Sequence, residues 1–572
     1  MHDICLFLNQ IRTNATGFDR IEMSRLRQFV TTMKIFMREM KPILQKMIVK
    51  KRNIRQLSTV QMITRIYSAA LRGVDALEVE VEVNAWGSEK PQIFVVGLPD
   101  AAVRESIQRV TSSILASALP FADGSKTVNL APADVKKEGP SFDLPIALAM
   151  ASACAELALP ADDCYVVGEL ALDGTVRAIK GALPIALEAR TKGKKRLIVP
   201  AANAAEAAIV EGIEVYGVDS LHQTWNFLAG LEPLAPYVID RQAFFESHRH
   251  YEVDFEEVKG QYQVKRALEI AATGGHNILM VGPPGTGKSM LAKRLPSILP
   301  DMSEEEAIET TKIHSIAGYL DPKRSFITTR PYRAPHHTIS DAGLLGGGTN
   351  PGPGEVSLSH HGLLFLDELP EFRRNTLEVM RQPLEDGHVT ISRAAGSLTF
   401  PSRFMLVAAM NPCPCGYYGD SKRECRCGSR AIEKYRQKIS GPLLDRIDIH
   451  VEVPLVDFKE LSSTELGEKS ATIRARVSTA REIQSERFRK HKGVSTNAAM
   501  SAKLVREHCA LDATSTSYLE HAMESMNFSA RAHDRILKVA RTIADLASCE
   551  KIQSEHILEA IQYRSLDRKL FS

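Results

Sequence analysis

The 572-residue chain has no apolar run approaching the eighteen or so uninterrupted residues that a membrane-crossing helix needs. Its N-terminus also lacks the charged-then-apolar pattern and small-residue cleavage site of a secretory signal. Nine cysteines over this length are too few for a disulfide scaffold, which points to a reducing, cytoplasmic setting. Strong net charge is missing too. The formal +3 is unevenly spread, because residues 1–61 hold 12 Lys and Arg against 4 Asp and Glu. The remainder is slightly acidic, so bulk charge neither demands nor forbids nucleic acid as its partner. With 44% hydrophobic and 25% charged residues the composition is that of a soluble globular protein, and the length calls for three or four folded units.

What is present centres on Asn277–Ser289. Ile278 to Val281 reads as a short buried strand, and residues 282–289 (Gly-Pro-Pro-Gly-Thr-Gly-Lys-Ser) satisfy G-x-x-x-x-G-K-[ST] at every fixed position. A phosphate needs several backbone N–H groups turned toward it, and the glycines at 282, 285 and 287 remove the side chains that would block them. Pro283, Pro284 and Thr286 complete the nucleotide-binding loop. Lys288 is expected to reach the β- and γ-phosphates of ATP, and the Ser289 hydroxyl to hold Mg²⁺. Val258-Lys-Gly-Gln, ahead of a helix over 264–272, is expected beside the adenine.

A second apolar run, Leu363 to Leu366, ends in Asp367-Glu368. Asp367 is expected to orient the Mg²⁺ and Glu368 to polarise the attacking water. A third, Phe404 to Ala409, leads to Asn411, which suits positioning of that water and the γ-phosphate. Arg446, in Gly441-Pro-Leu-Leu-Asp-Arg, reads as exposed and able to stabilise transition-state charge on a neighbouring subunit. Between Asn411 and Arg446, Cys413, Cys415, Cys425 and Cys427 form two C-x-C pairs. Four thiolates from two short loops suit tetrahedral Zn²⁺, although the usual C-x₂-C spacing is not met. Leu384 to Pro401 contains a β-hairpin, Val389–Arg393 and Ser397–Phe400 about an Ala-Ala-Gly turn, and the 79-residue gap between Lys288 and Asp367 exceeds what a minimal ATPase core requires.

The expected organisation is α/β in its first two units. Residues 1–61 form a basic extension, expected to lie upstream of a functional protein beginning at Met62. Residues 62–230 form an α/β domain, 231–252 a linker, 253–455 the P-loop ATPase core, and 456–572 a helical lid. The pattern of 62–230 resembles the proteolytic domain of Lon proteases, the ribosomal S5 domain 2-like fold. Ser141 falls where those enzymes keep their nucleophile, but the position of their lysine base is Leu183, and Lys180 stands where they have glycine. Without the base, Ser141 reads as a helix-capping residue and no proteolysis is expected.

The ordered set from Lys288 to Arg446 resembles the AAA+ superfamily and, from Met62 to Leu570, its magnesium-chelatase-like branch typified by the ComM/YifB competence proteins. The resemblance implies an ATPase ring, a hexamer in which Arg446 completes the neighbour's site. It also implies a lid arginine facing the nucleotide, Arg531 with Arg535 as the fallback. Three kinds of work are open to such a motor: translocation on DNA, metal insertion with a chelatase partner, and polypeptide unfolding. The missing lysine weighs against the third. The second usually comes with an Asp-x-Ser-x-Ser metal site, and Asp512-Ala-Thr-Ser-Thr lacks the leading strand for one. The resemblance favours the first, as a helicase or branch-migration factor in natural transformation, with Arg393, Lys323 and Arg324 as candidate phosphate contacts.

Overall fold

The computed structural model describes residues 63–566, except 135, 242, 244, 246–248, 250, 322–324, 349–350, 394–395, 421–422, 457–459, 461–465 and 492. The basic extension, Met62, Lys323, Arg324 and the Arg393 side chain lie outside the described set.

The first unit is a seven-stranded sheet with strands β1 (Thr64–Arg72), β2 (Asp75–Trp86), β3 (Ile93–Val96), β4 (Ser125–Ala131), β5 (Cys164–Val166), β6 (Arg196–Pro200) and β7 (Glu214–Val218). Their order is β3-β4-β2-β1-β5-β6-β7. The long β1–β2 pair is antiparallel, and alternation along β2 buries Val79, Val81 and Val83 on one face. Helices α1 (Ala101–Ala116) and α2 (Asp143–Ala155) cover that face, and α2 is buried all round from Asp143 to Ala153, while α3 (Ala182–Thr191) packs with Ala69, Ala76 and Tyr165 in a separate core. The capping expectation for Ser141 fails. That residue lies inside a 3₁₀ turn, Pro140–Phe142, and makes no capping bond. Helix α2 starts two residues later, where the Leu144 N–H donates to Gly168 O (3.0 Å).

The ATPase core carries a five-stranded, all-parallel sheet. Its strands are β8 (Ile278–Val281), β9 (Tyr332–Arg333), β10 (Leu363–Leu366), β13 (Met405–Met410) and β14 (Ile449–Glu452), in the order β9-β10-β13-β8-β14. The three central strands, β8, β10 and β13, are buried at every position, as unbroken apolar runs in a sheet covered on both faces must be. The expected hairpin is present as β11 (His388–Arg393) against β12 (Gly396–Pro401). Around the sheet lie α4 (Tyr262–Gly274), α5 (Lys288–Arg294) and α6 (Glu304–Ala317).

Five helices close the chain: α7 (Ser470–Phe488), α8 (Ala502–His508), α9 (Ala513–Met526), α10 (Ala530–Leu546) and α11 (Ser554–Gln562). Ile473, Val477, Ile536, Val539 and Ile543 join Val264, Leu268 and Ile278 in one core cluster, so this domain is packed onto the sheet. None of the described helices is long and apolar enough to cross a membrane.

Helix α6 ties the two halves together. On one side Met302, Ala307 and Phe326 share a core with Leu183, Ile185 and Tyr165 of the first unit. Buried Glu206 accepts hydrogen bonds there from the Leu183 N–H and the Ser315 hydroxyl. On the other side His314 Nε2 lies 2.8 Å from Leu358 O and the Thr310 hydroxyl reaches His360 O, both just ahead of β10. Fully burying a Met or Phe side chain is worth about 1.5–3 kcal/mol, so this junction is a packed interface rather than a tether.

A buried polar cross-link fastens α10 to the sheet. His276 Nδ1 donates to Asp448 Oδ2 (2.9 Å), and Arg535 pairs with the other Asp448 oxygen. Burial by itself would raise the Asp448 pKa, but the guanidinium and His276 hold the carboxyl well below the usual range. Arg535→Ala would strand a buried carboxylate and is expected to cost about 3–5 kcal/mol. Arg531→Ala, at a mostly exposed side chain, should change stability by under about 0.5 kcal/mol in the same denaturant titration. Because the Asp448 pKa is depressed by folding, its contribution is complete above the unfolded value near 4 and is lost as the pH falls below it.

Candidate active site

Strands β8, β10 and β13 are parallel, so the residues that follow them meet at one sheet edge. After β8 the chain turns through Gly285 and Gly287, both at positive φ, and enters α5 at Lys288. Gly282 backs onto β14, where an added Cβ would stand 2.3 Å from Val453 O. Lys288 is only 8% exposed, and its Nζ donates to Gly282 O (2.7 Å), Pro283 O (2.8 Å) and Asn411 Oδ1 (3.3 Å). Burial lowers its pKa, against the pull of Asp367 and Glu368. The Ser289 hydroxyl donates to Asp367 Oδ2 (2.6 Å). Lys288, Ser289, Asp367 and Asn411 thus converge from three strands, as the sequence motifs require.

Glu368 takes the left-handed conformation (φ 51°), and its N–H donates to Asp367 Oδ1 (2.9 Å). Its carboxylate faces His337, with Oε2 3.5 Å from Nδ1. Ser289, Tyr332, His336, His337, Asp367 and Glu368 line a cavity of about 430 Å³. A second cavity of about 380 Å³ lies between Val258, Gly260 and Tyr262 and the segment from Leu466 to Glu468. Beside it Gln261 donates to Thr286 O (2.7 Å) while its own Oε1 is buried without a partner. These features fit a nucleotide with Mg²⁺: a buried ammonium for phosphate oxygens, a hydroxyl and a carboxylate as hard oxygen donors, and an unpaired acceptor beside the cavity flanking Val258.

Arg446 is not exposed. It is 4% accessible, pairs with Glu385, and donates from Nη1 to Pro442 O. The sequence pattern missed this because Glu385, 61 residues upstream, draws the guanidinium inward. The Arg446 carbonyl accepts from Asn277 Nδ2 (3.0 Å), which places it where β8 begins, while the phosphate loop starts where β8 ends. Arg531 lies 3.9 Å from Asp445 on that same far edge, and Arg535 is committed to Asp448.

The β11–β12 hairpin, which ends its first strand at Arg393, buries Val389 and Phe400. Its other face exposes hydroxyl pairs, Thr390 with Thr399 (3.1 Å) and Ser392 with Ser397 (2.9 Å).

The four cysteines gather as the spacing suggested. Cys413, Cys415 and Cys425 have sulfurs 3.4–3.7 Å apart, and one sulfur from each of the four lies within 4.8 Å of the others. Backbone N–H groups of Tyr417 and Arg426 hold the Cys415 thiol down to about 6. Glu309, His360 and His361 also cluster. There, however, the Arg403 N–H donates to His360 Nδ1 (2.9 Å), which leaves Nε2 protonated and turned to Glu309, with no lone pair for a cation.

Comparison with known proteins agrees with this geometry. The family "Magnesium chelatase, subunit ChlI" matches residues 254–461, its C-terminal family matches 467–564, and "Subunit ChlI of Mg-chelatase" matches 79–203. The chain is 42% identical over 508 residues to YifB of Escherichia coli, covering 88% of this chain and 97% of that one. It is 43% identical over 511 residues to the competence protein ComM of Haemophilus influenzae, covering 88% and 98%. The chain belongs to the magnesium-chelatase-like ComM/YifB family of AAA+ ATPases. A more distant relative, the 38 kDa magnesium-chelatase subunit of Rhodobacter capsulatus, is 25% identical over 177 residues, 28% of this chain and half of that one.

In this ComM/YifB-family ATPase two site residues had no assigned role in the motifs. His337 sits in the segment between Lys288 and Asp367 that reads as surplus, and the His336-His337 doublet was its only signal. Gln261 was noted only as part of the adenine segment, with no sign that it also ties the loop to Pro454. Lys288→Ala is expected to lose nucleotide binding together with turnover. Glu368→Gln should still bind ATP while hydrolysis drops by about 10²–10⁴, read by equilibrium binding and single-turnover assays.

Proposed function

We propose that this ATPase is a ring motor, a homo-hexamer that hydrolyses ATP between subunits and translocates on DNA in the cytoplasm. The observation that carries the ring is the separation of Lys288 from Arg446 by the length of β8. Five residues of extended chain, from Asn277 to Gly282, span about 16 Å, so the arginine faces away from its own phosphate loop. On release from Glu385, Arg446 meets the nucleotide of the next subunit, and Arg531, beside Asp445, approaches the same site.

Within each site Lys288 neutralises phosphate charge and Ser289 with Asp367 orients the metal. Mg²⁺, when bound, draws charge from the phosphate oxygens. Glu368 takes the proton of the attacking water, and Asn411 holds that water in line. His337 sets where the Glu368 carboxylate rests. A zinc ion in the four-cysteine loop completes the cofactor set.

DNA as the track is supported by the competence protein ComM as a relative and by the exposed hydroxyl face of the β11–β12 hairpin, with Arg393 at its tip. Such groups suit phosphate oxygens rather than base edges, hence sequence-independent grip. The role that follows is helicase or branch migration during recombination of incoming DNA. The first unit is read as a Lon-like domain without protease chemistry: Leu183, where the base would stand, is fully buried, and Lys180 lies against Gly318. The competing reading, a metal-insertion motor, draws on the chelatase relative and the ChlI matches.

Two measurements test this. Mixing Arg446→Ala chains with Glu368→Gln chains should restore part of the lost ATPase activity, since some interfaces in a mixed ring carry both intact residues. No recovery in verified mixed rings overturns the shared site. ATP turnover of protein starting at Met62 should rise with single-stranded or forked DNA and fall steeply with salt. Turnover indifferent to every DNA, but raised by a chelatase partner, favours the competing reading.

A further inference from the structure

The chain leaves the phosphate-loop side of the site at Asn411 and enters the four-cysteine knuckle at Cys413. Asn411, which accepts from Lys288, is two residues ahead of Cys413, and the Cys413 side chain is fully buried. Three residues on, Gly416 takes φ +86° and its backbone rests on the phosphate loop: a Cβ there would stand 2.6 Å from Pro284 Cδ. The base of the knuckle is pinned by Arg436, whose Nε and Nη2 donate to Pro412 O (3.2 and 3.1 Å) and whose guanidinium stacks on Tyr418. The knuckle is therefore a brace spanning Asn411 and Pro284.

Its sulfurs require an explanation of their own. All four cysteines are free, and the sulfur separations of 3.4, 3.6 and 3.7 Å are far beyond a disulfide bond. Zn²⁺ bound tetrahedrally at about 2.3 Å from each thiolate sets sulfurs about 3.8 Å apart. A hard oxygen-seeking cation has no claim on this set; as thiols the sulfurs can bond to one another, and as thiolates their charge calls for a soft cation at the centre.

We infer that a zinc ion in the Cys413–Cys415–Cys425–Cys427 knuckle holds the phosphate loop and Asn411 in their nucleotide-binding arrangement, so that metal occupancy sets the affinity of the ATPase for nucleotide. The inference rests on the zinc reading of the knuckle and is independent of whether the motor acts on DNA. With the metal in place, Gly416 buttresses Pro284 and keeps the glycine-lined loop open for phosphate. Without it, the segment after Asn411 loses its fixed point, and Lys288 loses the alignment of its Asn411 contact.

The test uses the full-length protein. Zinc is counted by elemental analysis, and a fluorescent ATP analogue with Mg²⁺ is titrated before metal removal, after mercurial release and chelation, and after re-addition of Zn²⁺. One zinc per chain is expected, with nucleotide affinity falling between about tenfold and a hundredfold on removal and returning on re-addition. Gly416→Ala leaves all four ligands intact but forces a side chain against Pro284 at a positive φ. It should keep its zinc and still bind nucleotide more weakly. Reduced protein that carries no zinc and takes none up overturns the site. Full zinc with affinity unchanged by its removal, or by Gly416→Ala, overturns the coupling and leaves the site standing.

Discussion

Parallel pairing of β8, β10 and β13 is the constraint from which the site follows. Strands that run the same way end at the same edge, so Lys288 comes within hydrogen-bonding reach of Asn411, 123 positions away, and its neighbour Ser289 within reach of Asp367. The uniform burial of these strands enforces the arrangement, because a slipped register would draw Asp367 or Asn411, which follow the apolar runs, into the buried sheet. The same constraint that gathers the phosphate-binding groups sends Arg446 and Arg531 to the opposite edge. One sheet thereby separates Lys288, Asp367 and Asn411 from Arg446 and Arg531 by the length of a strand.

Around that sheet, neighbouring parts are joined by packing rather than by loops. Helix α6 shares a core with the N-terminal unit on one side and holds the entry of β10 on the other. The His276–Asp448–Arg535 link does the corresponding work for the C-terminal helices, with charges that are buried and mutually compensated. Movement of either flanking domain therefore bears on strands that carry the site. The motor proposed above would depend on such rigid transmission, because motion lost in slack joints does no work on a substrate.

Two of the residues discussed above sit in costly arrangements. Glu368 sits in a left-handed backbone conformation with its carboxylate turned to His337, and Arg446 is buried against Glu385 with its Nε unpaired. Strained conformations of this kind persist where surrounding structure imposes them, and they cluster at functional sites.

The sequence by itself determined the phosphate loop, the strand-ending carboxylates, Asn411, the hairpin and the helical end of the chain. These are local: each motif carries its glycines, its apolar run or its period within a dozen residues, and short-range sterics decide them. The gathering of the four cysteines was legible for the same reason. Only the tertiary structure decided that Ser141 caps nothing, that Arg446 is buried, that Arg535 serves Asp448, and that His337 faces Glu368. Each of these depends on a partner between roughly thirty and ninety residues away, or, for Ser141, on where the chain chose to begin its helix. No pattern in the sequence encodes such pairings, because they arise when separate elements pack and the nearest charge or carbonyl claims the group.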